Sequence, residues 1–151
     1  MKYVLDTCVV SELRRRQPNP SLLDWLSNRV PNDLFLASAT VGELRSGACS
    51  VPEVARRTLL EKWVDDAVLP KFAGRVLPFD LGVADCWGRL MGDGIASGRT
   101  PAVIDSMIAA TALVNGMTLV TRNVRDFRFA GLSVVNPFGD AAPCGGAGKG
   151  I

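Results

Sequence analysis

The chain alternates very short apolar runs with longer segments of helical spacing, and this pattern constrains its fold more than any other feature. Tyr3-Val4-Leu5, Leu34-Phe35-Leu36-Ala37, Arg75-Val76-Leu77-Pro78-Phe79, Met117-Thr118-Leu119-Val120 and Leu132-Ser133-Val134-Val135 each read as a short strand. Continuous apolar strands are covered on both faces, and strand–helix alternation connects them in parallel. The expected architecture is therefore three-layer α/β/α, with a mostly parallel sheet of four to five short strands. Pro78 argues that the third strand lies at an edge or ends there. Open sheets of this kind carry their sites at the carboxyl ends of the strands.

The intervening segments carry helix signals. A helical turn is expected over Val9–Leu13, and Asn19-Pro20-Ser21 reads as a helix start with Pro at the first helical position. Thr40-Val41-Gly42-Glu43 has capping-box spacing. A long helix is expected from Val54 to Val68, burying Val54, Leu59, Leu60, Trp63, Val64 and Val68. Asp80 is placed to cap a helix through Trp87, Leu90 and Met91, with Gly92, Gly94 and Gly98 marking its loosening. The helical series Val103–Val114 stops at the C-cap pair Asn115-Gly116. Residues 1–138 read as one domain and 139–151 as a Gly-rich, mobile tail. Within the tail, Gly145–Gly150 has fragments of a phosphate-binding loop but lacks its first Gly and its Ser/Thr.

Composition removes several chemistries. Apolar residues make up 48% of the chain, enough for a real core. Lys+Arg is 17 and Asp+Glu 15, so a nucleic-acid site must come from local patches rather than overall charge. There is no histidine, which excludes Ser-His-Asp and Cys-His catalysis, His-based RNA cleavage and His-bearing zinc sites. Cys8, Cys49, Cys86 and Cys144 are widely spaced, with no C-x-x-C, which suggests a reducing compartment. No apolar run is long enough to span a membrane, and a cytoplasmic location is expected.

Four acids then stand out. Asp6 ends the first strand, where a carboxylate needs a partner or a cation. Glu43 completes the capping-box spacing, or faces the same rim from the first turn of its helix. Asp105 interrupts the apolar series around Ile104, Met107 and Ile108, near a helix start. Asp126 follows the fourth strand by a few residues. Acids gathered at one sheet edge repel one another, and a hard divalent cation removes that conflict. Oxygen ligands favour Mg²⁺ or Mn²⁺, which activates water against phosphoryl groups without histidine.

At these residues the sequence resembles the PIN-domain ribonucleases, specifically VapC-type toxins of toxin–antitoxin pairs. The resemblance is carried by Tyr3–Leu13, Ala39–Gly47, Ile104–Ala112 and Leu119–Phe127. It implies a metal-dependent endoribonuclease, with Asp6, Glu43 and Asp105 matching the first three acids of the family. Many members carry an acid directly after the Thr-Arg pair, where this chain has Asn123, leaving Asp126 as a substitute. Cys8 replaces the usual Asn two residues after the first acid. Thr7 and Thr121 are candidate hydroxyl supports, and Arg16, Arg122 and Arg125 candidate contacts to RNA or antitoxin. A homodimer and a cognate antitoxin are further implications. The alternatives are a catalytically weak PIN-fold binding module and a Mg-dependent phosphotransfer or phosphatase domain. The second is disfavoured because Cys8 stands where such phosphatases need an Asp.

Overall fold

A computed structural model describes residues 1–139; the expected tail, with its phosphate-loop fragment and Cys144, falls almost wholly outside them. The strands are β1 (Tyr3–Leu5), β2 (Leu34–Ala37), β3 (Val76–Leu77), β4 (Thr118–Val120) and β5 (Val134–Val135). They form one sheet in the order β3-β2-β1-β4-β5, and every pairing is parallel. The chain builds outwards from β1 through β2 to β3, then crosses to the other side of β1 for β4 and β5. The strand order thus reverses between β1 and β4, and a crevice opens at the carboxyl ends of strands at such a point. β3 is an edge strand that stops before Pro78, as the ring requires.

Side-chain alternation divides the strands between two cores. Tyr3, Leu5, Leu34, Leu36 and Val120 face one core with Val9, Val10, Leu22, Leu44, Val64, Val68 and Phe72. Val4, Ala37 and Leu119 face the other with Ile108, Ala109, Ala112 and Phe127. Helices α1 (Thr7–Leu13), α2 (Pro20–Ser27) and α4 (Val54–Trp63) serve the first core, and α7 (Val103–Val114) serves the second. Helix α3 (Ser38–Cys49) contributes Leu44 to the first and packs Ala39 against the second. At about 25 cal/mol per Å² of apolar area, burying each large side chain contributes roughly 1.5–3 kcal/mol. The three-layer expectation holds, with five strands.

Several local expectations need correction. Thr40 does not cap α3: the helix starts at Ser38, directly after β2, and Ala37 is its N-cap without a side-chain bond. No loop residue remains for a capping box, so Glu43 lies in the second turn rather than the first. The helical run from Val54 exists, but Val54 is 64% and Leu59 68% exposed. Only Leu60, Val64 and Val68 of the six expected residues are fully buried, with Trp63 partly so. The run widens to a single π-type turn over Val64–Val68 before α5 (Leu69–Lys71). Pro70 lacks an N–H and crowds the preceding carbonyls, and a wider turn relieves both.

Helix α6 (Leu81–Ala96) starts at Asp80, whose carboxylate accepts from the Val83 N–H at 3.0 Å. It runs through Gly92 and Gly94 instead of loosening there. Its end is a Schellman motif: Gly98 at φ +74° donates to Ile95 O at 3.1 Å, and Arg99 N–H donates to Gly94 O at 2.8 Å. A Cβ on Gly94 would stand 2.4 Å from Pro101 Cδ. Glycine is therefore needed there for close approach of the following loop. Trp87 Nε1 donates to the buried Ser106 Oγ at 3.0 Å, tying α6 to α7.

Candidate active site

The first strand delivers Asp6 to the β1/β4 crevice. The Asp6 N–H donates to Val120 O at 2.9 Å, a last rung between the two strands. The side chain is then the N-cap of α1, Oδ1 accepting from the Thr7 N–H at 2.8 Å. Its other oxygen accepts from Thr121 Oγ1 at 2.8 Å and from Cys8 Sγ at 3.2 Å. Asp6 is only 4% exposed. Burial is the largest influence and raises its pKa, against the lowering effect of Thr121, Cys8 and Thr7; the Asp105 charge raises it further.

Asp105 sits in the first turn of α7 and is also 4% exposed. Its charge adds the smallest of the upward influences at Asp6, so α7 brings Asp105 within electrostatic reach of the first acid. Asp126 and Asp105 line a single cleft of about 360 Å³, together with Arg99, Thr100, Pro101, Ala102, Arg125, Arg128 and Phe129. Asp126 is exposed on the short 3₁₀ turn Val124–Phe127. Glu43 is half-buried on α3, the helix that leaves the carboxyl end of β2.

The segment after β4 is pinned from below. Thr121 is fully buried, and its oxygen accepts from the Asn123 N–H at 3.0 Å while its proton goes to Asp6. Asn123 in turn accepts through its carbonyl from the Asp126 N–H at 3.0 Å. The Arg122 N–H reaches Cys8 Sγ at 3.5 Å. Cys8 thus restores a donor to Asp6 where the change from Asn implied the loss of a polar contact. Burial, then the Asp6 charge, push the Cys8 thiol up to about 12, so it stays protonated and donates.

Arg122 does not line the cleft. Its guanidinium lies over the Phe138 ring at 4.8 Å and 3.9 Å from Glu12 Oε2. Glu12 is a buried acid that sequence reasoning passed over, 4% exposed at the end of α1. It also accepts from the Asn19 N–H at 2.9 Å and lies 3.4 Å from Arg15 Nε. Its position one turn beyond Cys8, before three arginines, was the available signal. Arg16 is exposed and is not a cleft residue. Arg99 and Arg128, which do line the cleft, carry no motif that marks them in sequence.

Among the described residues, no three Asp, Glu or Cys side chains gather into a ready-made metal cage. The donor set does suit a hard cation that keeps most of its waters and takes only one or two carboxylates. Asp6 and Asp105 are two such carboxylates, both buried, with the Asp105 charge felt at Asp6. The buried Thr7 hydroxyl beside Asp6 has no hydrogen-bond partner in the protein, a further oxygen able to meet a coordinated water.

The PIN domain family model matches residues 3–132. The chain is 40% identical over 135 residues to VapC ribonuclease Y4jK of Sinorhizobium fredii, covering 89% of this chain and 96% of that protein. Toxin FitB of Neisseria gonorrhoeae is 36% identical over 137 residues, covering 91% and 99%. The FitAcB crystal structure from the same organism superposes with a TM-score of 0.81, covering 91% of this chain and 99% of that one. VapBC-5 of Mycobacterium tuberculosis, a member of the VapBC family of toxin–antitoxin systems, superposes with a TM-score of 0.62 at 25% identity, covering 89% and 96%. The chain belongs to the PIN-domain family, among its VapC- and FitB-type toxins.

Proposed function

We propose that this PIN-family nuclease is the toxin of a toxin–antitoxin pair and hydrolyses RNA phosphodiester bonds in the cytoplasm with Mg²⁺ or Mn²⁺. The observation that carries the reading is the pairing of two buried carboxylates, Asp6 and Asp105, where the strand order reverses. Relatives bear the names VapC ribonuclease and Toxin FitB, and one solved relative belongs to a toxin–antitoxin family, which supports both the activity and an antitoxin partner. A homodimer is part of the same proposal.

Asp6 and Asp105 would hold the ion, with Asp126 as a third, more exposed oxygen donor. When bound, a divalent ion lowers the pKa of water and neutralises charge on the phosphoryl oxygens. The protein's own part is positional. Thr121, Cys8 and the Thr7 N–H hold Asp6 in one rotamer, with its charged form stabilised by three donors. Glu43 orients the attacking water and takes its proton. The water oxygen bonds to phosphorus as the bond to the 3′ oxygen breaks; the departing oxygen takes a proton from solvent and Glu43 returns its own to solvent, leaving a 5′-phosphate and a 3′-hydroxyl. Asn123 holds the loop through its backbone and supports the site with a neutral oxygen.

The test is incubation of the purified chain with total RNA in Mg²⁺, Mn²⁺ or EDTA, beside Asp6→Ala and Asp105→Ala. Cleavage with metal that both variants lose by 100-fold or more, on the order of a removed catalytic group, supports the reading. Cyclic 2′,3′-phosphate ends formed in EDTA would overturn it.

A further inference from the structure

We infer that the cleft beside Asp105 is a binding track for single-stranded RNA backbone, in which Arg99, Arg125 and Arg128 take phosphates flanking the bond to be cut. The inference rests on the ribonuclease reading and adds the surface that presents the strand to it. Three guanidinium groups line one cleft of about 360 Å³ with Asp105 and Asp126. All three are exposed, and among the described residues none of them is in an ion pair. Among the other exposed arginines, Arg15 and Arg89 pair with acids of their own segment, while Arg14 and Arg16 form no ion pair among the described residues but lie outside the cleft. Exposed positive charge at the rim of an acidic site suits a polyanion whose phosphate must approach the acids.

Two further features of the cleft suit the same ligand. Ala102, the N-cap of α7, lines it and offers no side-chain oxygen, so the first N–H groups of a 12-residue helix are left for an anion. Phe129 lines it as well and supplies a ring face on which a base can stack. Asp6 and Asp105 are each 4% exposed, so a phosphate reaches them only on a strand flexible enough to dip into the crevice. A single strand does this; the backbone of a stacked duplex does not.

The position of Arg99 is built in. The Schellman motif fixes its backbone on Gly94, and the missing Cβ of Gly94 lets Pro101 close against α6. Arg125 and Arg128 flank Asp126 on the segment that Thr121 and Asn123 anchor. The three charges therefore belong to two separately anchored segments that both line the cleft.

The experiment measures binding of the full chain to a fluorescein-labelled uridine oligomer of about 12 nucleotides, a length within common single-strand site sizes. Binding is followed by anisotropy in EDTA over a salt series, with the oligomer checked for integrity afterwards. Each Arg→Gln change at 99, 125 or 128 is expected to reduce the slope of log K against log salt by about 0.7, and the triple change by about 2. The triple Arg→Lys variant keeps the slope, and Lys62→Ala, an exposed change on α4, leaves it unchanged. A triple Gln variant that binds with the parent's slope overturns the inference and leaves the ribonuclease reading standing. A parent chain that neither binds nor cuts RNA overturns both.

Discussion

The hydroxyl of Thr121 donates to Asp6 Oδ2 at 2.8 Å, joining residues 115 positions apart at the carboxyl ends of neighbouring parallel strands. This bond is fully buried and is the point at which the two halves of the sheet meet. It also joins the sheet to the loop above it, because the same oxygen accepts from Asn123.

Asp6 is destabilising when charged and without a cation. Burial raises its pKa above the unfolded value, so the folded chain holds the proton more tightly. The stability this contributes is complete below the unfolded pKa, about 3.8–3.9, and is lost as pH rises through the folded value. In EDTA, Asp6→Asn should therefore gain in Tm over the parent as pH rises above the ordinary carboxylate range. Mg²⁺ or Mn²⁺ should raise the parent's Tm and leave that of the variant unmoved. Thermal melts read both effects, and a Tm difference that shrinks with rising pH contradicts the account.

Glu12 holds Asn19 and Arg122 in place from a buried position. Glu12→Ala leaves the Asn19 N–H unpaired and should cost about 2–3 kcal/mol, the scale of a buried bond to a charged group. Glu12→Gln keeps one acceptor and should cost about half as much. Urea denaturation measures the difference; a loss for the alanine variant under about 0.5 kcal/mol, the range of ordinary surface changes, would count against the role.

Gly94 and Gly92 lie two residues apart in α6 and should respond with opposite sign. At Gly92 a Cβ meets nothing within 4 Å, so Ala there should stabilise by up to about 1 kcal/mol through helix propensity. At Gly94 the same methyl collides with Pro101 at 2.4 Å and with the Arg99 carbonyl at 2.7 Å. Overpacking should outweigh the propensity gain and destabilise by about 1–3 kcal/mol. Equal midpoints for the two alanine variants would refute the packing argument.

Cys8 should be chemically quiet. With its thiol pushed to about 12, it carries almost no thiolate at moderately alkaline pH. The exposed Cys49, whose pKa is raised through its bond to Glu61, remains accessible to reagent. Timed alkylation with iodoacetamide followed by peptide mass analysis should label Cys49 well before Cys8.

The sequence carried the sheet because its strands are apolar on both faces and its helices start at recognisable caps. Asn19 accepts from the Leu22 N–H and Asp80 from the Val83 N–H, each where its spacing placed a helix start. Asp6 and Asp105 were legible because a carboxylate amid apolar residues needs a reason. The capping box at Thr40 misled because spacing alone cannot tell that β2 runs into α3 without a loop. Val54 and Leu59 misled because helical periodicity does not say which part of an amphipathic run meets the core. The glycines of α6 were read as breakers when one of them serves a contact made by a loop five residues further on. Arg99 and Arg128 had no local signature, and Glu12 had only its place before three arginines: the surroundings of all three are set by tertiary approach.

Because the central strand is the first to be synthesised and its partner β4 comes after residue 117, the crevice is completed late. A ribosome-bound chain that has released only β1, β2 and β3 has Asp6 and Glu43 but neither Asp105 nor the Thr121 anchor. On the reading proposed above, a fragment ending before α7 would carry the first buried acid without either its companion or the hydroxyl that anchors it.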